Sequence, residues 1–145
     1  MSALVISEAR EAAALRRCFP VMAELRPHLD EAAFVAAVQR MLPQGYRLSL
    51  AAEAGADGEA LGVAGWRIHE TLVRGRMLYI DDLVTRADRR SRGVGKALLD
   101  HLIAIARNEG CQALELDSGC QRSAAHRFYF REGLVISSFH FQRSL

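Results

Sequence analysis

The stretch Arg89-Arg90-Ser91-Arg92-Gly93-Val94-Gly95-Lys96-Ala97-Leu98-Leu99 gathers cations and two glycines where an apolar-periodic segment begins. R-x-x-G-x-G opening a helix directly after a strand suits a polyanion such as a diphosphate. The first N–H groups of a helix lack intrahelical partners, the macrodipole is positive there, and glycine lets backbone approach a ligand closely. The candidate contacts are Arg90, Ser91, Arg92, Gly93, Val94, Gly95, Lys96 and Ala97. Two familiar phosphate loops are excluded. A Walker A loop needs Ser or Thr after Gly95-Lys96, where Ala97 stands, and Arg90 holds the place of its first glycine; a dinucleotide fingerprint needs glycine at Leu98. A solvated, basic strand-to-helix turn carries the same signature, and the stretch alone does not separate the two readings.

The elements that would position this turn follow from periodicity and punctuation. Ala3–Ile6 reads as a first strand and Glu8–Leu25 as a helix, with Pro20 expected to break or kink it. After an Arg26-Pro27-His28 loop, Asp30 is a fitting N-cap for a helix over Glu31–Leu42, ended by Pro43 and Gly45. Tyr46–Ala52 and Leu61–His69 flank Gly55-Ala56-Asp57-Gly58 as a hairpin, and Met77–Thr85 is a further strand after an Arg74-Gly75 turn. Gly93–Asn108 is a helix with Val94, Ala97, Leu98, Leu102 and Ile105 on one face, followed by Gly110 at its C-terminus. Ala113–Leu116 reads as a strand, Arg122–Arg131 as a helix stopped by Gly133, and Leu134–Gln142 as a last strand. The order β-α-α-β-β-β-α-β-α-β predicts a mixed α+β (α/β) fold, a central twisted mixed sheet flanked by helices, in one domain over 1–145.

Bulk composition narrows the function classes. With 145 residues, 50% hydrophobic and 25% charged, the chain can bury a real core. A net charge of +2 is too small for wholesale nucleic-acid binding. The Arg86–Lys96 cluster interleaves with glycine and offers no aromatic platform, so no nucleic-acid partner is expected. No segment nears the roughly 20 apolar residues of a membrane helix, and MSALVISEAR lacks a basic n-region, so no membrane association is expected. The odd set Cys18, Cys111 and Cys120 predicts reduced thiols and a cytoplasmic location. His28, His69, His101, His126 and His140 are scattered without paired ligands, so no metal site is expected.

The run from Ile80 to Gly133 resembles the GNAT superfamily of N-acetyltransferases, which use acetyl-CoA. The family pattern is a strand ending near valine and proline, then [QR]-x-x-G-x-[GA] opening a helix, a short strand, and a helix with Ala and Tyr four apart before a closing Gly-Phe. DDLVTRADRRSRGVGKALL, ALELDSG and AAHRFYFREGL reproduce it. Arg90, Gly93 and Gly95 match the first motif, with Thr85 for valine and Ala87 for proline. Ala125, Tyr129 and Gly133 match the second, with Leu134 for phenylalanine. The family often has Asn seven residues before the tyrosine, against the pantetheine arm; this chain has Arg122, a candidate donor to a carbonyl or a phosphate.

Attack of an amine on a thioester needs a deprotonated amine, a donor at the carbonyl oxygen and an acid for the departing thiolate. Asp81 and Asp82 are the candidate bases. Adjacent strand residues face opposite ways, so only one of them can look into a shared site unless a bulge intervenes. The resemblance favours Asp81, where polyamine-type members carry a Glu; other members place the carboxylate at the position of Tyr79, and a water chain then stands in. The resemblance also implies backbone contacts from Leu83, Val84 and Thr85 to pantetheine and thioester, and Tyr129 as general acid and cofactor contact. Against that role, Phe128-Tyr129-Phe130 also fits a core aromatic cluster.

The acceptor pocket of the resemblance is walled by Arg26, His28, Trp66, Tyr79 and His140, and a primary amine is favoured by the two aspartates, although Arg26 offers a site for a carboxylate. The resemblance further implies a homodimer through the last strand. The competing function is a non-catalytic acyl-CoA-binding sensor or complex subunit, for which the missing Asn speaks and against which the intact Tyr129 speaks. Trp66 and Phe34 are expected in the core, Cys111 and Cys120 as small apolar fillers, and Arg131 as a solvated helix residue.

Overall fold

The computed structural model describes residues 3–55 and 57–145. Two compact units share the chain, Met1–Glu115 and Leu116–Leu145. The first holds β1 (Leu4–Glu8), α1 (Ala12–Leu25), α2 (Glu31–Met41), β2 (Arg47–Glu53), β3 (Gly62–Thr71), β4 (Gly75–Thr85), α3 (Val94–Asn108) and most of β5 (Ala113–Leu116). The second holds α4 (Ser123–Arg131). The strands form one mixed five-stranded sheet in the order β1-β2-β3-β4-β5, antiparallel from β1 through β4. The class and order expected from sequence are thus found from β1 to α4.

Local chemistry sets most boundaries. Asp30 accepts the Ala33 amide at 2.8 Å and starts α2 as expected. Gly45 and Gly110, at φ +100° and +72°, take the left-handed conformation that closes a helical segment. Pro20, expected to break or kink α1, does not break it and lies inside its continuous span. An interior proline costs about 3 kcal/mol, and the burial of Leu15, Cys18, Val21 and Met22 on the same helix outweighs it. These side chains form one core with Phe34 and Val38 of α2 and with Leu48, Leu50 and Val63 of the sheet. Phe34 and Trp66 are in the core as expected.

Two expectations are corrected. The buried face of α3 is Val94, Leu98, Leu99, Leu102 and Ala106, so Ala97 and Ile105 sit at its margin. Gly62 of β3 explains the rotation: a Cβ there would lie 2.7 Å from Val94 Cγ1 and 3.0 Å from Leu98 Cδ1, so the missing side chain draws these two residues against the strand. The last strand over Leu134–Gln142 is not formed. Leu134 still bonds the Tyr129 carbonyl at 3.0 Å, but beyond it the segment has no strand to pair with among the described residues, and Val135, Ile136, Phe139 and Phe141 are exposed. Of the expected loop Gly55-Ala56-Asp57-Gly58, Ala56 lies outside the described residues.

Candidate active site

β4 pairs with β3 from Gly75 opposite Thr71 to Thr85 opposite Gly62, with one break: Gly65 opposes Asp82 while Trp66 opposes Ile80. Asp81 is therefore the extra residue of a β-bulge. The bulge removes the strict alternation that would send Asp81 and Asp82 to opposite faces, and both enter one half-buried cluster. Asp82 Oδ1 accepts from Arg26 Nε at 2.9 Å, and its Oδ2 from the Tyr46 hydroxyl at 2.8 Å. Arg26 Nη2 also reaches the Asp81 carbonyl at 3.1 Å. The Asp81 carboxylate is held at both oxygens by Arg67, Nε at 3.1 Å and Nη2 at 2.7 Å, and the Arg67 guanidinium lies 5.5 Å from the Tyr46 ring centre. The end of α1, the entry to β2, and strands β3 and β4 each contribute one or two of these groups.

Gly65 makes this convergence possible. A Cβ there would fall 1.8 Å from Tyr46 Oη and 2.7 Å from Asp82 Oδ2. Tyr46 is buried, and its hydroxyl is held protonated well above the ordinary phenol range, first by burial and then by Asp82. It therefore acts as a fixed donor. Tyr46, Gly65 and Arg67 were not singled out from the sequence; a glycine inside the otherwise apolar strand GVAGW was the available signal of close approach.

The glycine-rich turn lies beyond the other end of β4. Gly93, at φ +84°, is the N-cap of α3, and no side chain caps the helix or places an acid in its first turn. Ala97 N–H closes the first helical bond onto Gly93 O at 2.9 Å, so the N–H groups of Val94 and Gly95 precede the helical ladder and lack an intrahelical acceptor. Ser91, at φ +64°, is the one described non-glycine residue with positive φ, and a strained backbone at this turn fits a binding loop. The cations divide into two groups. Arg86 pairs with Asp88 at 2.6 Å, Arg89 with Glu53 at 3.7 Å and Lys96 with Asp100 at 3.1 Å. Arg90 and Arg92 are exposed and make no ion pair with the described residues. Val94 is buried, so only its main chain can meet a ligand.

Between the two features runs Leu83–Thr85. Arg86 N–H bonds Leu61 O on the β3 side at 2.8 Å. By alternation Val84 shares that side, and the N–H groups of Leu83 and Thr85 point toward the other edge. On that edge Gln112, just before β5, bonds Arg76 O at 2.7 Å. The four residues of β5 span about 13 Å from there, too few to reach Leu83. β5 therefore ends short of Leu83 and Thr85 along β4.

In the second unit, α4 carries Tyr129 buried, with Phe128 edge-on at 5.5 Å and Phe130 exposed. Burial pushes the phenol above its ordinary pKa, against a smaller downward pull from the charge and hydrogen bond of Arg122.

Residues 11–133 match the profile of the acetyltransferase (GNAT) family. The chain is 36% identical over 126 residues, 86% of its length, to YhdJ of Bacillus subtilis, described as an uncharacterized N-acetyltransferase and covered over 87% of its own length. The chain belongs to the GNAT family. It is accordingly an acyltransferase. An aminoalkylphosphonate N-acetyltransferase of Salmonella typhimurium is 33% identical over 69% of this chain and 62% of its own. Solved structures share the fold at lower identity. The aminoglycoside N-acetyltransferase AAC(6')-Iy, in complex with CoA, superposes with a TM-score of 0.84 at 19% identity over 99% of this chain and 96% of its own. A Trypanosoma brucei acetyltransferase gives 0.79 at 23%, over 99% and 100%.

The other nominated residues of this GNAT chain divide plainly. Trp66 is fully buried, donates to Ser49 Oγ at 3.0 Å and carries Arg47 on its ring, so its surface is spent on the core. Arg26 joins the aspartate cluster, while His28 is exposed and Tyr79 half-buried. His140 is exposed beside Asp117 at 3.4 Å. Arg131 stacks on Phe128. Cys120 is exposed and is not the apolar filler expected, since its Gly119-Cys120 turn precedes α4. Cys18 is buried, its thiol pushed up to about 12 by burial and thus unreactive. Among the described residues no group of three or more His, Cys, Asp or Glu is placed to hold a metal ion, and no helix is long and apolar enough to cross a membrane.

Proposed function

We propose that this GNAT chain is an acetyl-CoA-dependent N-acetyltransferase that acts on a primary amine by direct attack in a ternary complex. Acetyl-CoA supplies the activated acetyl thioester. The N–H groups of Val94 and Gly95 at the start of α3, with Arg90 and Arg92 beside them, hold its diphosphate. The N–H groups of Leu83 and Thr85, on the side of β4 away from β3, orient the pantetheine arm and meet charge developing on the carbonyl oxygen. Asp81 takes the proton the amine must lose, directly or through water, and Tyr129 gives its phenolic proton to the departing sulfur. The new bond is N–C, the broken bond C–S. Three unpaired thiols suit a reducing compartment, and we place the enzyme in the cytoplasm.

The observation that carries this reading is the uncapped start of α3 with two unpaired arginines beside it, in a chain of this family. Calorimetric titration tests it. Acetyl-CoA should bind in the micromolar range, and Arg90→Gln with Arg92→Gln should weaken it about 10- to 100-fold together. Wild-type affinity in the double variant would remove the diphosphate site. An amine panel followed by thiol release tests turnover; firm binding without turnover of any amine or peptide would return the chain to a sensor.

A further inference from the structure

We propose that the acceptor is a small zwitterion, a primary amine carrying a carboxylate or phosphonate a few bonds away, with Arg67 as the group that recognises the acid. This rests on the acetyl-transfer reading above and names its substrate class. The argument is one of charge exchange. Asp81 and Arg67 form a bidentate pair whose side chains are only 22% and 27% exposed. An ammonium that engages Asp81 must displace Arg67 from at least one oxygen. A partly buried guanidinium that loses an acceptor is destabilised. Asp82, the adjacent carboxylate, already has both oxygens filled by Arg26 and Tyr46.

The class of acceptor decides whether that cost arises. An uncharged-tail amine takes an Asp81 oxygen from Arg67 and returns no acceptor to it. A polyamine adds further positive charge to a cluster whose two arginines and two aspartates sum to zero, so no field draws it in. A zwitterion brings its own anion: its ammonium takes Asp81, its acid takes Arg67, and two new pairs replace one. The planar guanidinium suits a carboxylate or phosphonate fork. Arg26, 41% exposed, lies beside the same carboxylates and supplies a second cation at the rim. The 33% identical relative that acts on aminoalkylphosphonates is in keeping with this chemistry.

The experiment compares kcat/KM, at saturating acetyl-CoA, for propylamine, β-alanine, 2-aminoethylphosphonate and spermidine. Either acid-bearing amine should exceed propylamine at least 30-fold, with spermidine no better than propylamine. Whichever of β-alanine and 2-aminoethylphosphonate leads distinguishes carboxylate from phosphonate. Arg67→Gln should cut the acid-to-propylamine ratio about 10- to 100-fold, mainly through KM, and Arg67→Lys should restore part of it. The ratio is insensitive to a merely structural loss, which would lower both substrates alike. Propylamine or spermidine used as well as the acids would overturn the proposal and leave acetyl transfer standing. An unchanged ratio in Arg67→Gln would overturn the role of Arg67. No turnover of any amine, despite acetyl-CoA binding, would overturn this proposal together with the transferase reading.

Discussion

Gly65→Ala is the sharpest perturbation the structure offers. The added carbon would sit 1.8 Å from Tyr46 Oη, 2.5 Å from Cζ and 2.7 Å from Asp82 Oδ2. Ordinary contact needs more than 3 Å, so the Tyr46 ring must move by over an ångström. Its side chain is 2% exposed and has no free direction. Overpacking of this kind costs about 1–3 kcal/mol. Losing the hydroxyl's bond to Asp82 costs about 1.5–3 kcal/mol. Alanine recovers about 0.5–1 kcal/mol of backbone entropy relative to glycine. The net loss should be about 2–5 kcal/mol, read as a lower urea midpoint at unchanged m. Tyr46→Phe removes the atom nearest the clash, so the double variant should be more stable than the sum of the singles by about 1–3 kcal/mol. A Gly65→Ala variant within 1 kcal/mol of wild type, or strict additivity in the cycle, would refute the idea that Gly65 exists to admit Tyr46 and Asp82.

The two aspartates should separate by readout. Asp82→Asn weakens the bonds to Arg26 and Tyr46, and Asp81→Asn weakens the pair with Arg67, so each should cost about 1.5–3 kcal/mol in chemical unfolding, whereas Asp81→Asn alone should also lose about 100-fold in kcat/KM. Tyr129→Phe should lower kcat about 10- to 100-fold with acetyl-CoA affinity unchanged by calorimetry; an unaltered rate would return Tyr129 to a core role. Tyr46 and Tyr129 have raised folded pKa values, led by burial, so their contribution to stability is complete below the ordinary phenol value of about 10 and is lost as pH rises through the folded values. Urea unfolding from pH 9 to 11 should show that decline, with a shallower slope in Tyr46→Phe.

What the sequence disclosed was local. Asp30, Gly45 and Gly110 announce helix ends because capping is decided within three or four residues. The R-x-x-G-x-G turn is equally local, and it fell where the motif put it. The aspartate cluster was hidden because its members, at positions 26, 46, 67, 81 and 82, meet only once β2, β3 and β4 are in register. Alternation alone would have parted Asp81 from Asp82, and the bulge that joins them depends on a phenol and a glycine on other strands. The unformed strand after Gly133 is the opposite failure. An apolar run such as Val135-Ile136 satisfies every local criterion for a strand, yet a strand also needs a partner edge, which no local pattern encodes.

Strand β3 shows how these pieces were made compatible. It gives up a side chain at Gly62, where Val94 and Leu98 press in, and again at Gly65, where Tyr46 and Asp82 do. The first absence seats the start of α3, and with it the amides and arginines of the proposed anion site, directly against the sheet. The second lets β4 bulge and pool its carboxylates. Between the two, Leu83–Thr85 runs about 10 Å with its spacing fixed by the β3 ladder. The proposed grip therefore follows the proposed reaction site along the chain, with the end of β4 and the Arg86–Arg89 segment between them. A side chain at either glycine would alter that separation without touching a single ligand-binding atom.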